Sequence, residues 1–307
     1  MSQYRASLRI VLDSLESATA DQLTQTSKML LTGKDDIGLQ KAELTINKLL
    51  DNFTTAVTSD AASACKQPLG NLRAMLYGSS YAQIQQNWQE QIYPKAHALE
   101  QGFPFTETGS ASITDLTRYL NPVNGILIQF FNDRLATSFQ ETEGKLQLKE
   151  SGAFKFSQEF TDYLNNCKKL REALFAQGGQ QMEVGYELLL QPVANADVVI
   201  EIDGIRAETR GTTAQSAKFS WPAKSGASGA KITVIQGSKI AEKAFPGEWG
   251  LFKMVAGATA NSEGNLFILS WNIEGTTIRA ALRPSSATSP FSRRLFTQWH
   301  APKNLRN

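Results

Sequence analysis

Hydrolytic and metal chemistry draw on a short list of side chains, and this chain is poor in them. It has two histidines, His97 and His300, neither in an HExxH pattern, so histidine-rich metal sites are excluded. No GxSxG nucleophile elbow occurs. The nearest run, Gly226-Ala227-Ser228-Gly229, lacks the strand-to-helix setting that exposes such a serine. Gly33-Lys34-Asp35 is no phosphate loop, because the upstream glycine is missing and an aspartate replaces the required hydroxyl. Glycoside cleavage needs two carboxylates facing across a cleft. The pairs close in sequence, Asp35-Asp36 and Glu141/Glu143, sit in polar stretches that read as solvated loops.

Cys65 and Cys167 form no CxxC pair, which removes zinc and redox motifs. Cys167 falls on the apolar stripe Phe160, Tyr163, Leu164, Leu170, Leu174, where it reads as a small buried thiol. An oxidising compartment would instead allow a disulfide between the two cysteines. The residues therefore predict no catalytic centre, no cofactor, no metal and no small-molecule substrate. Aromatic side chains remain. Trp88, Trp221, Trp249 and Trp271 fit core positions, whereas Trp299 lies in a polar tail with Phe291, Leu295 and Phe296. Such a tail cannot make its own core, so it must dock on this protein or on a partner. Partner hot spots favour tryptophan and arginine, which the tail supplies in Trp299, Arg293 and Arg294.

Composition sets the frame for these residues. The chain has 307 residues, 41% hydrophobic and 20% charged, with a net charge of +2. That length supports two or three domains with real cores. The near-neutral balance argues against nucleic acid, and the clusters Lys168-Lys169-Arg171 and Arg293-Arg294 read as solvated faces. No run approaches the ~20 apolar residues that span a bilayer, and no secretory segment follows Met1.

Periodicity divides the chain in four. Residues 1–102 read as a helical domain, with apolar sets at Leu8 to Leu15, Leu23 to Leu31 and Leu39 to Phe53. A short helix from Pro68 to Gly78 follows, then a long one capped by Ser80 with Gln83 and faced by Tyr81, Ile84, Trp88 and Ile92. Residues 103–182 continue the bundle. Ser112 caps one helix, Asn121 with Pro122 starts the next, and Leu127, Phe130, Phe131, Leu135 and Phe139 form its stripe. Glu141 to Gly152 is a charged linker, and a helix from Ser157 to Ala176 stops at Gly178-Gly179.

From Met182 the period changes to two, and residues 183–285 are predicted to form an antiparallel β-sandwich. Asp203-Gly204, Gly237-Ser238 and Glu274-Gly275 mark its hairpins. Residues 286–307 are an extended tail. The fold class is thus α+β: helices first, then the sandwich, then the tail.

Several of these stretches also resemble one family. Phe103-Pro104-Phe105, Asp115 to Tyr119, Asn121-Pro122-Val123-Asn124-Gly125-Ile126-Leu127 and Phe130-Phe131 look like the IcmF/TssM family of type VI secretion inner-membrane proteins. Leu170 to Phe175, Ile202-Asp203-Gly204, Ser220-Trp221-Pro222, Gly247 to Phe252 and Ser289-Pro290-Phe291 continue the match in order. Glu248 stands where the family has a smaller residue, Ser289 where it often has asparagine, and Arg293 to Asn307 diverge most.

The resemblance implies the periplasmic C-terminal part of a membrane-anchored protein whose membrane helices lie upstream. It implies a non-enzymatic interaction module that binds the outer-membrane lipoprotein TssJ and other secretion-complex subunits in an oligomeric assembly. On that reading the partner-binding candidates are Asp203 and Gly204 at one hairpin, and Phe291, Arg293, Arg294, Phe296 and Trp299 in the tail. The competing reading is a periplasmic protein that binds or cleaves peptidoglycan.

Overall fold

The structure, a computed structural model, describes residues 2–19, 22–23, 25–26, 29, 37–51, 59–149, 154–175, 179–222, 228–264, 266–285 and 289–306. The side chains of 51, 59–65, 73, 74, 77 and 79 are not described. The chain divides into two compact units. The first comprises Met1–Glu90, Arg134–Ser157 and Asn304–Asn307, and the second Gln91–Asp133 and Gln158–Lys303.

The first unit is built on α1 (Ser2–Glu16), α2 (Leu39–Asp51) and α3 (Ser59–Asn87). Their apolar faces meet in one cluster of Tyr4, Val11, Leu39, Ala42, Ile46, Leu69 and Leu76. The expected break at Pro68, the stop at Gly78 and the cap at Ser80 are all absent, since α3 runs through all three. The proline forfeits a backbone hydrogen bond. Even so, Leu69, Leu76 and Ile84 of α3 are all buried, and that tertiary burial outweighs the local loss. Of the helical set expected from Leu23 to Gly33, residues 30–33 lie outside the described residues, as do Asp35-Asp36.

The stripe expected on one long helix is divided. Leu127 and Phe130 are buried in the second unit, while Leu135 and Phe139 are buried in the first. Phe139 opens a strand instead of closing a helix: β1 (Phe139–Thr142) pairs antiparallel with β2 (Lys145–Leu148). The segment read as a charged linker is therefore a hairpin. Its turn residues Glu143 and Gly144 both adopt positive φ, which a two-residue turn matched to strand twist requires.

The second unit starts with α4 (Tyr93–Glu100), α5 (Ile113–Leu120) and α6 (Ile126–Phe130), and α7 (Gln158–Leu174) joins them. Ser112 caps α5 as its sequence predicts, accepting from the Asp115 N–H at 3.1 Å. Asn121 acts differently from expectation. Its carboxamide oxygen accepts from the Val123 and Asn124 N–H groups, so it holds a turn, and α6 begins only after Gly125.

The rest of this unit is β-rich and antiparallel throughout. The strands are β3 (Val184–Leu190), β4 (Asp197–Ile202), β5 (Ile205–Thr209), β6 (Gln215–Trp221), β7 (Gly229–Gln236) and β8 (Lys239–Pro246). After α8 (Gly250–Ala256) come β9 (Thr259–Glu263), β10 (Leu266–Ile273) and β11 (Thr276–Pro284). A five-stranded sheet in the order β6-β3-β11-β10-β9 and a four-stranded sheet in the order β5-β4-β7-β8 make the sandwich. Alternation along β3 and β4 puts Val184, Tyr186, Leu188, Val198, Ile200 and Ile202 into its core. One strand, β9, was not expected, and it lies at the edge of the larger sheet. In the tail, α9 (Arg294–Thr297) interrupts the extended course.

Candidate functional site

The turn at Asp203-Gly204 is the two-residue type its sequence predicts, with φ of 50° and 81°. Asp203 is buried, and its carboxylate accepts from the Gly229 N–H at 2.9 Å, so it ties the β4–β5 turn to the start of β7. Gly204, Ile205 and Arg206 are exposed at the tip.

The tail docks on its own chain. Phe291 packs edge-on to Tyr186 and against Phe252. Phe296 meets Phe105, Trp249 and Phe252. Trp299 sits 4.9 Å from the Phe105 ring and 5.7 Å from both Tyr119 and Tyr163. All three aromatics are buried, and Arg293 and Arg294 remain exposed. Arg293 forms an ion pair with Glu107. Ala301 N–H donates at 2.5 Å to Glu100, a buried carboxylate flanked by His97 and His300 at 3.6 and 3.8 Å. Nothing in the sequence links Glu100 to Ala301, since the two are 201 residues apart.

The recurring glycines and tryptophans act as pins. Trp249 is fully buried and donates to the Ala111 carbonyl at 2.7 Å, joining the helical part of the unit to the sandwich. Trp221 lies 4.9 Å from it and donates to the Glu248 carbonyl. Trp271 donates to the Met254 carbonyl on α8. A Cβ on Gly250 would fall 2.5 Å from the Ala230 nitrogen, and one on Gly125 would fall 2.4 Å from the Asn121 carbonyl oxygen. These are positions where backbones touch, so any side chain is excluded.

Ionisable groups inside the second unit are sealed. The Tyr119 and Tyr163 hydroxyls meet at 2.7 Å, and burial, with the Cys167 thiol nearby, pushes both phenols well above their ordinary value. Burial also pushes the Cys167 thiol up, which withdraws it from thiolate chemistry. Cys167 is free, so no disulfide holds it. Among the described residues no cluster of three histidine, cysteine or carboxylate side chains could hold a metal. Glu141 and Glu143 are exposed on the β1–β2 hairpin.

A cavity of about 620 Å³ opens in this unit. Phe103, Phe105, Phe252, Phe267, Phe291 and Phe296 supply its apolar wall, Ala260 and Ser262 of β9 form one side, and Arg293 and Glu107 line it as well. The sequence marked Phe291, Phe296 and Arg293 but not Phe267, Ala260 or Ser262. Ala260 and Ser262 lie on the unexpected edge strand and carry no motif, and Phe267 is one apolar residue of β10.

Comparison with known proteins places these features in context. Residues 80–180 match the Type VI secretion protein IcmF helical domain, and residues 189–286 match the Type VI secretion protein IcmF C2-like domain. A curated relative, Type VI secretion system component TssM1 of Pseudomonas aeruginosa PAO1, is 25% identical over 142 residues. That match takes in 44% of this chain but only 13% of the relative's length. Among solved structures, a chain of a type VI secretion system membrane core complex superposes with a TM-score of 0.75 at 16% identity, over 94% of this chain and 61% of that one. A T6SS protein TssM C-terminal domain from EAEC does so with 0.65 at 18% identity, over 74% of this chain and 99% of that one.

Proposed function

The chain belongs to the IcmF/TssM family of type VI secretion proteins, whose helical and C2-like domains it carries in order, and from that premise we propose a non-enzymatic scaffold. In this reading it is the periplasmic part of an inner-membrane protein and binds the outer-membrane lipoprotein TssJ in the trans-envelope complex. No helix among the described residues is long and apolar enough to cross a membrane.

One observation carries the reading: the tryptophans, glycines and turn aspartate that carry the family resemblance are spent on packing. Trp221, Trp249, Gly250, Gly125 and Asp203 hold backbones or turns together, and none of them lines the cavity. A chain whose shared residues fix its shape is suited to presenting surfaces. The partner surface we assign is the exposed tip at Gly204, backed by Asp203, together with Arg293 and Arg294. Phe291, Phe296 and Trp299 act from beneath by holding the tail in place.

Calorimetric titration of this chain with its cognate lipoprotein tests the proposal. Saturable binding, weakened by Ile205→Asp at the hairpin tip, is the expected result. Absence of binding at concentrations up to roughly tens of micromolar would sink it.

A further inference from the structure

We infer that β9 and the cavity beside it form a docking site for an extended segment of a partner protein, which adds a sixth strand to the larger sheet. The site shares Arg293 with the tail surface proposed for the lipoprotein, but it does not rest on that reading.

Three observations converge. The first is the edge itself. β9 pairs with β10 alone among the described residues, and all five of its residues are exposed. Sheet edges are ordinarily blunted by lysine, proline, a bulge or a covering segment. Thr259-Ala260-Asn261-Ser262-Glu263 has no lysine and no proline, and its register with β10 is continuous. Alternate residues of an antiparallel strand turn their backbone groups away from the paired neighbour, so half of β9's amides and carbonyls face outward.

The second is the cavity. Ala260 and Ser262 lie opposite Leu269 and Phe267, on the inner face of the sheet, and both line the cavity. Side chains two residues apart on an added strand are about 6.8 Å apart, and they would enter beside Ala260 and Ser262. A volume of about 620 Å³ walled by phenylalanine rings accepts two apolar side chains. Main-chain pairing with pockets for alternate side chains is the known physics of strand addition.

The third is charge. Glu107 and Arg293, the two charged residues of the lining, pair with each other, so the cavity wall carries no net charge and suits uncharged side chains. Glu263, exposed at the far end of β9, faces outward and asks for a cation opposite it. The occupant is therefore an antiparallel segment with a lysine or arginine first, then apolar residues at the second and fourth positions.

The probe is the acetylated, amidated pentapeptide Lys-Phe-Thr-Phe-Thr, titrated into the full chain by calorimetry and by amide NMR. Saturable binding with shifts confined to β9 and the cavity wall is expected. N-methylating both phenylalanine amides, or instead both threonine amides, separates strand pairing from greasy adhesion. One of the two phases must weaken binding at least about tenfold while the other leaves it within about threefold. Ser262→Trp, at an exposed position, is designed to fill the cavity and must abolish binding while the thermal melt stays at the wild-type value. Glu263→Lys must weaken it, and a peptide starting with glutamate must recover it. No binding, equal effects of the two methylation phases, or indifference to Ser262→Trp overturns the site. So does a dimer of the chain alone that Ser262→Trp dissolves, because the edge would then belong to a second copy.

Discussion

At the scale of single residues, burial decides what each group is able to do. Tyr119 and Tyr163 share one hydrogen bond in a fully buried setting, and their phenols ionise well above the ordinary value near 10. The sign follows directly. An unfolded chain loses these protons near pH 10 while the folded one keeps them. Their contribution is complete below that value and is lost as pH rises towards the folded pKa. Stability should fall above pH 10 by about 1.4 kcal/mol per pH unit for each buried phenol. Thermal melts across pH 8 to 11.5 measure this, and the double variant Tyr119→Phe/Tyr163→Phe should fall less steeply. The double change removes both hydroxyls of the pair, and only the weakly bonding Cys167 thiol loses a partner. Cys167 was readable as a buried thiol because its neighbours at helical spacing are apolar. Glu100 was not readable, because its partner Ala301 arrives from the other end of the chain.

Elements were readable where turn chemistry is strong. Asp203-Gly204 and Glu274-Gly275 each place two residues at positive φ, and the strands beside them fall where alternation put them. The hairpin β1–β2 and the edge strand β9 were missed for the same physical reason: both are short, polar and mostly exposed, so they show little apolar alternation. In α3 the error ran the other way. Proline, glycine and a capping pattern argued for breaks, and tertiary burial along one face overrode them. The turn before α8 gives the sharpest test at this scale. Gly250 has ordinary φ, so its requirement comes from space alone: the Ala230 nitrogen, the Gly229 Cα and the Phe245 oxygen all stand 2.5 Å from where a Cβ would go. Gly250→Ala should cost about 3 kcal/mol or more, since the backbones of two paired strands cannot step aside as a flexible side chain does. A lowered denaturant midpoint with an unchanged slope is the expected reading, and a midpoint equal to wild type would refute the packing argument.

Across the whole molecule, the tail serves both units. Residues 289–303 belong to the second and 304–307 to the first. In the second, Trp299 closes a nest of Phe105, Tyr119 and Tyr163. In the first, Leu305 is fully buried, its N–H donates to Gln85 and its carbonyl accepts from Ser157, while Arg306 lies 3.6 Å above the Tyr81 ring. Two truncations separate these roles. A chain ending at Lys303 should lose roughly 2–5 kcal/mol in the first unit, the range for removing a buried leucine, and hydrogen exchange should quicken there. A chain ending at Gln298 should also loosen the second unit by about 3–5 kcal/mol, the range for a buried tryptophan. The same two chains weigh the tail's part in binding. If its aromatics act by holding Arg293 and Arg294 in place, the Lys303 truncation keeps lipoprotein affinity and the Gln298 truncation weakens it together with stability. A truncation at Gln298 that abolished binding while exchange in the second unit stayed at wild-type rates would make the tail a free arm, against the packing seen for Trp299.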